Sequence, residues 1–281
     1  MPIKRSLVLL FVLFGFLRAE TLLAEEKPLW ELGVGTAFLY LPDYRGSDEG
    51  RFYFLPYPYL IYRGDILRVD KDRISGRIFE TDRLLFDVSF YGSVPVDSDD
   101  DPYRRGMPDL DPTFEVGPAL NIILLKDTRD RYKLGLNLPV RAVFSTDFSS
   151  VHHQGWVFSP RLNFELNDII AECGVNLGLS VGPIFADKDY HDYYYTVDPA
   201  YATPSRHAYS AGSGYSGSTV TLGLNKILNS FILNAFVRMD FLEGAEIEDS
   251  PLVTNNHSLM TGFTITWVFF KSAKRVTTGP H

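Results

Sequence analysis

The chain of 281 residues contains a single cysteine, Cys173. No disulfide can form within it, so a secreted protein of this size must draw its stability from elsewhere. Cys173 also lies far from the N-terminus, which leaves no lipidation site there. Beyond residue 24 no segment reaches 18 consecutive apolar residues, and this excludes membrane-spanning helices from that part of the chain. Basic residues are in the minority as well. The formal net charge is -8, whereas a nucleic-acid partner calls for a basic surface.

What the chain has is an N-terminal address and an excess of rings. Lys4 and Arg5 precede the apolar run LVLLFVLFGFL, Leu7 to Leu17. That run has the length of a signal peptide and is short of the roughly 20 residues a spanning helix needs. Cleavage after Ala24 removes three basic residues and one acidic one, leaving 24 against 34 and a net charge of -10; cleavage after Ala19 is the alternative. The expected organisation is a signal peptide over 1–24, a barrel over 25–270 and a short basic tail over 271–281. Aromatic residues make up 14% of the chain, with 16 Tyr and 21 Phe, a composition suited to placing rings at an interface.

The stretch GWVFSPRLNFELN (155–167) sets the pattern for the remainder. Trp156, Phe158, Pro160, Leu162, Phe164 and Leu166 alternate with Val157, Ser159, Arg161, Asn163, Glu165 and Asn167. A helix would scatter these side chains around its circumference and bury Pro160 in its interior, at a cost of about 3 kcal/mol. A strand places them on opposite faces. The same beat recurs at Trp30–Tyr40, Leu84–Phe90, Phe114–Leu124, Tyr132–Val140, Ala171–Leu179, Phe231–Met239 and Phe263–Phe269.

These strands match the roughly 9–11 residues of a transmembrane β-strand. In lipid every backbone polar group must be satisfied, so such strands have to close into a ring. The predicted fold is all-β: a transmembrane antiparallel up-and-down β-barrel of about twelve strands. The number is ten if the short pair around Ile66–Asp70 and Arg73–Phe79 does not form. Prolines 118, 139 and 160 fall inside predicted strands and are read as bulges. Tight connections (63–65, 80–82, 126–130, 167–168, 226–229) alternate with long ones (41–51, 95–112, 145–154, 183–217, 243–257), as in outer-membrane barrels with periplasmic turns and external loops. Trp30, Tyr62, Tyr132 and Trp267 then form a periplasmic girdle, with Tyr40 and Trp156 in an outer one. A large soluble β-protein also alternates, but it needs an apolar core, and here the second face carries Glu, Arg, Lys and Asn.

Four segments resemble the MltA-interacting protein / OmpV family of outer-membrane proteins: LYLPDYRGSDE (39–49), LPYPYLIYRGD (55–65), PVDSDDDPYRRGMPDLDPTFEVGPAL (95–120) and IEDSPLV (247–253). The resemblance implies a barrel in the outer membrane of a Gram-negative bacterium, in contact with lipid and lipopolysaccharide. It implies a non-enzymatic scaffold that joins a lytic transglycosylase to a murein synthase; other branches of the family are linked to small-solute permeation, osmotic response or adhesion. No cofactor is implied. Residues 271–281 depart from the usual barrel ending by continuing past Phe269 and Phe270.

The polar face supplies the candidate site residues. Glu31, Asp87, Glu115, Lys133, Arg141, Arg161, Glu165, Glu172, Arg238 and Asp240 mix both signs. They either line a narrow selective pore or fill the lumen with ion pairs, and the filled lumen is favoured. Asp97, Asp99 and Asp101 have the spacing of a calcium loop's start, but Pro102 stands where such a loop needs glycine. His152 and His153 near Asp147, Ser149 and Ser150 lack a nucleophile elbow. The Tyr/Ser/Gly-rich segment 190–218 reads as a recognition loop or a flexible cap. Lys271, Lys274 and Arg275 are the expected partner-contact residues on the periplasmic side. A scaffold for murein turnover is the expected function, and a narrow channel for small polar solutes the alternative.

Overall fold

Once alternate side chains are sorted onto two faces, the backbone of each strand is free to bond sideways to two neighbours. A computed structural model shows this wall. It describes residues 26–63, 67–70, 73–76, 79–81, 83–129, 131–170 and 173–277. The expected signal peptide and Glu172 lie outside the described residues.

The wall is built from β2 (Trp30–Pro42), β3 (Gly50–Arg63), β4 (Leu67–Asp70), β5 (Arg73–Gly76), β6 (Phe79–Glu80) and β7 (Leu84–Gly92). It continues with β8 (Thr113–Lys126), β9 (Tyr132–Thr146), β10 (Val151–Phe158), β11 (Arg161–Leu166) and β12 (Val175–Ala186). Then follow β13 (Gly214–Leu228), β14 (Phe231–Phe241) and β15 (His257–Lys271). Hydrogen bonding runs β5-β4-β3-β2-β15-β14-β13-β12-β10-β9-β8-β7-β6. The path thus ends two residues along the chain from where it began, and β5 also lies beside β7. β10 and β11 share the neighbours β9 and β12 and are halves of one strand. β5 and β6 both border β7 and are likewise counted as one strand, so the described residues form twelve wall strands, all paired antiparallel.

The outer face is apolar. Val34, Phe54, Leu224, Val237, Phe263 and Trp267 are all exposed. In water that surface would be a severe aggregation liability, and against hydrocarbon it is the correct solvent match. Rings gather toward both edges of the band: Phe231 stacks on Trp267 at one end, while Tyr40 meets Phe52 and His153 meets Trp156 at the other. No helix among the described residues is long and apolar enough to cross a membrane. The strands make the crossing.

Several local expectations change. Pro118 and Pro139 sit in unbroken register, opposite Val88 and Ala119; only Pro160 falls at a break, between β10 and β11. Ala171, where the expected strand begins, lies outside the described residues, and Cys173 stands in a turn. β12 starts at Val175, and Asp168 and Gly174, both with positive φ, carry the chain between the two strands. His152 and His153 belong to strand β10 instead of a loop. Within the basic tail, residues 275–277 form a strand. β16 (Arg275–Thr277) pairs with β1 (Glu26–Pro28) in a small ribbon at the short-turn end, and Leu29 N donates to Lys274 O at 2.8 Å.

Candidate functional site

Long connections converge on one mouth of the barrel and fill it. The central piece is α1 (Lys188–Tyr195). Asp187 starts it by accepting a hydrogen bond from Tyr190 N at 3.0 Å, satisfying one of the orphan donors of a helix N-terminus. Helical spacing then puts Tyr190 with Tyr194, and His191 with Tyr195, on the face that packs into the mouth. All four are buried. They meet Val143, Val157, Ile184 and Ala186 from the wall and Leu242, Ile247 and Leu252 from the connection 242–256. Tyr195, Leu242, Ile247 and Leu252 are essentially inaccessible to solvent, at 0–1%.

Hydrogen bonds lock these connections to one another. Tyr44 donates to Leu252 O at 2.9 Å and Tyr195 to Arg45 O at 3.0 Å. Ser250 Oγ donates to Tyr195 O at 2.7 Å, and Tyr193 donates to Asp111 O at 3.1 Å. Arg104 is the keystone of connection 93–112. Its guanidinium donates to Ser98 Oγ, Tyr194 O and Pro108 O and lies over the Tyr44 ring at 5.7 Å. Burial pushes its pKa down from the ordinary arginine value and raises that of the Tyr44 phenol. Three of the four segments that carry the family resemblance (39–49, 95–120 and 247–253) therefore meet in this plug.

Beneath the plug lies a layer of charge. Arg141 Nε donates to Glu115 Oε2 at 2.7 Å, and its Nη2 donates to Ser159 Oγ at 3.0 Å. Arg238 holds Asp240 Oδ1 at 2.8 Å and Tyr91 OH at 2.9 Å, and Arg45 Nε lies 3.5 Å from the same Asp240 oxygen. Both Arg141 and Arg238 sit over the Tyr91 ring, at 5.8 and 5.9 Å. Arg141 lies opposite Gly117, and Arg161 opposite Gly182. Any side chain at either glycine would overlap the facing backbone carbonyl, Val140 O or Pro160 O. Nearer the short turns, Lys133 pairs with Glu165 at 3.0 Å and Arg63 with Glu31 at 2.8 Å. Asn225, Asn234 and Thr264 form a ladder, as do Asn137, Asn121 and Asp87.

Other sequence candidates stay apart. Asp147 accepts from Ser149 and Ser150 and leaves the imidazole alone. Ser150 Oγ is 2.9 Å from His152 Nε2, but the carboxylate–imidazole contact that a relay needs is not formed. No metal-holding cluster of His, Cys, Asp or Glu occurs among the described residues. Asp97 instead accepts from Asp99 N within its own turn. Lys271 ends β15 opposite Glu31, while Lys274 and Arg275 belong to the terminal ribbon. Sequence reasoning missed Arg45, Arg104 and Tyr91. It missed α1 as well, although Asp187 followed by ring pairs four residues apart was a usable signal.

A family model described as "MltA-interacting protein MipA" matches residues 34–269. A comparison with curated protein sequences returns no match. Among solved structures the chain is similar to an outer membrane channel from Pseudomonas putida F1, at 12% identity and TM-score 0.46, covering 90% of this chain and 100% of that one. It is also similar to the Pseudomonas putida toluene transporter TodX, at 8% identity and TM-score 0.30, with 89% and 69% covered. A Pseudomonas aeruginosa FadL homologue matches at 12% identity and TM-score 0.31, with 76% and 60% covered.

Proposed function

Because the chain belongs to the MltA-interacting protein MipA family and is a barrel of the Gram-negative outer membrane, we propose that it is a non-enzymatic scaffold for murein turnover. Its partners on this reading are a lytic transglycosylase of the kind the family description names and, joined to it, a murein synthase. The observation that carries the reading is the sealed outer mouth. A lumen that ends against Tyr195, Leu242 and Ile247, all within 1% of full burial, is a poor conduit. The periplasmic end remains as the surface for work.

That end is sparse, since its turns are short, and a stable interface needs about 800 Å² per partner. The β1/β16 ribbon adds backbone that projects beyond the wall and carries Lys274 and Arg275 beside Lys271. An acidic partner surface suits it. In crosslinked envelopes the full chain is expected to capture the transglycosylase, and a chain ending at Phe270 to capture it much less. Equal capture by both chains ends the proposal. A narrow channel for small polar solutes is the second reading, favoured by the charged lumen. It requires the plug to open.

A further inference from the structure

Two halves of the lumen differ in wetness. Toward the plug, the inward-facing Thr219, Arg238 and Asp240 are buried. Nearer the short turns, the inward-facing Asn163, Gly178, Gly223 and Asn225 are partly accessible. A side chain at Gly178 would meet nothing within 4 Å, and one at Gly223 nothing nearer than 3.9 Å. The wall there faces open space. The plug closes the other end, so a ligand would have to reach this space from the periplasmic side.

Its roof is cationic. Arg45, Arg141, Arg161 and Arg238 face Glu115, Asp240 and Asp87, and Asp87 is already engaged by Asn121 at 3.1 Å. Arg141 is spent on Glu115, and both Arg238 and Arg45 on Asp240. Arg161 stands apart. Its buried Nε has no hydrogen-bond partner, and no ion pair with it occurs among the described residues. Arg238 and Arg141 repel it, while Tyr91 and Glu115 oppose that repulsion more weakly. An unpaired, partly desolvated guanidinium is costly, and its planar fork matches a carboxylate or phosphate.

We propose that the blind lumen is a periplasm-facing binding pocket for a small oxyanion, held by Arg161 with Asn163 two residues along the same strand and Ser180 opposite Asn163 on β12. This pocket does not depend on the scaffold reading.

The test is calorimetric titration of the detergent-solubilised full chain at constant ionic strength, with acetate in one arm and inorganic phosphate in the other. Saturable uptake is expected in at least one arm, and the stronger arm identifies carboxylate or phosphate as the preferred group. Arg161→Met is expected to weaken uptake by at least about tenfold. Lys133→Met, which removes a cation already paired near the entrance, is expected to leave it unchanged. No saturable uptake by the wild-type chain in either arm overturns the proposal, a result that needs no variant to fold. Equal uptake by wild type and Arg161→Met overturns it too.

Discussion

The Asp187 carboxylate occupies the space that a side chain on Gly155 would need. Gly155 sits at a β-bulge in β10 with φ of 104°, and a Cβ built there would overlap Asp187 Oδ1 and approach Tyr190 N to 2.5 Å. One glycine in the wall thus makes room for the cap of the plug helix. Gly155→Ala is expected to combine a left-handed strain with a displaced cap, at about 1–3 kcal/mol together. The readout is a lowered melting temperature and faster proteolysis within 187–213, with membrane insertion retained.

The Arg141–Glu115 pair leads to a second expectation. Both are about 95% buried, so removing one partner strands the other's charge. Glu115→Ala is expected to destabilise the barrel by about 3–5 kcal/mol. The double variant Glu115→Gln, Arg141→Met is expected to regain most of that loss, as measured by denaturant unfolding in detergent. Additive losses would show that the pair is not a coupled unit.

Acidity should loosen the plug through His191. Burial is the main cause that lowers its pKa below the ordinary 6.5, with Arg45 adding to it; Glu246, Asp187 and the bond to Gly212 O oppose it. Nδ1 lies 2.6 Å from Gly212 O, and the buried Nε2 has no partner. The folded state therefore prefers the neutral ring. Stability is full above about pH 6.5 and declines as pH falls from there toward the lowered folded value. Melting temperatures at pH 7.5 and 5.5 are expected to differ more for wild type than for His191→Gln.

Much of this architecture was legible because lipid outside and water inside enforce a two-residue period on every strand. The twelve strands, the alternation of turn lengths and the inward charges Glu115, Arg141 and Arg238 follow from that period alone. It fails where backbone conformation overrides side-chain polarity. Cys173 and Gly174 keep the beat yet precede the strand, because Asp168 and Gly174 take left-handed conformations. It also cannot show what fills the mouth. Tyr190, His191, Tyr194 and Tyr195 look like pliable loop residues until the wall supplies Val143 and Val157 for them to pack on. The partnering of each arginine is likewise a property of register. Arg141 and Arg161 are equally polar in sequence, and among the described residues only Arg141 is hydrogen-bonded to a carboxylate.

The single thiol makes orientation measurable without engineering. Cys173 is exposed in the turn between β11 and β12, at the short-turn end. A bulky membrane-impermeant maleimide is expected to spare it in intact cells and label it once the outer membrane is broken. Labelling in intact cells would invert the topology. Ser149→Cys, in the long-loop turn after β9, is expected to show the opposite pattern.

Recording from single molecules in planar bilayers addresses the sealed mouth directly. The intact chain is expected to give a flat baseline, and a chain with residues 188–211 replaced by a short Gly/Ser linker to give discrete openings. Steady conductance from the intact chain, unchanged by removing that segment, would contradict a barrel closed by its own plug.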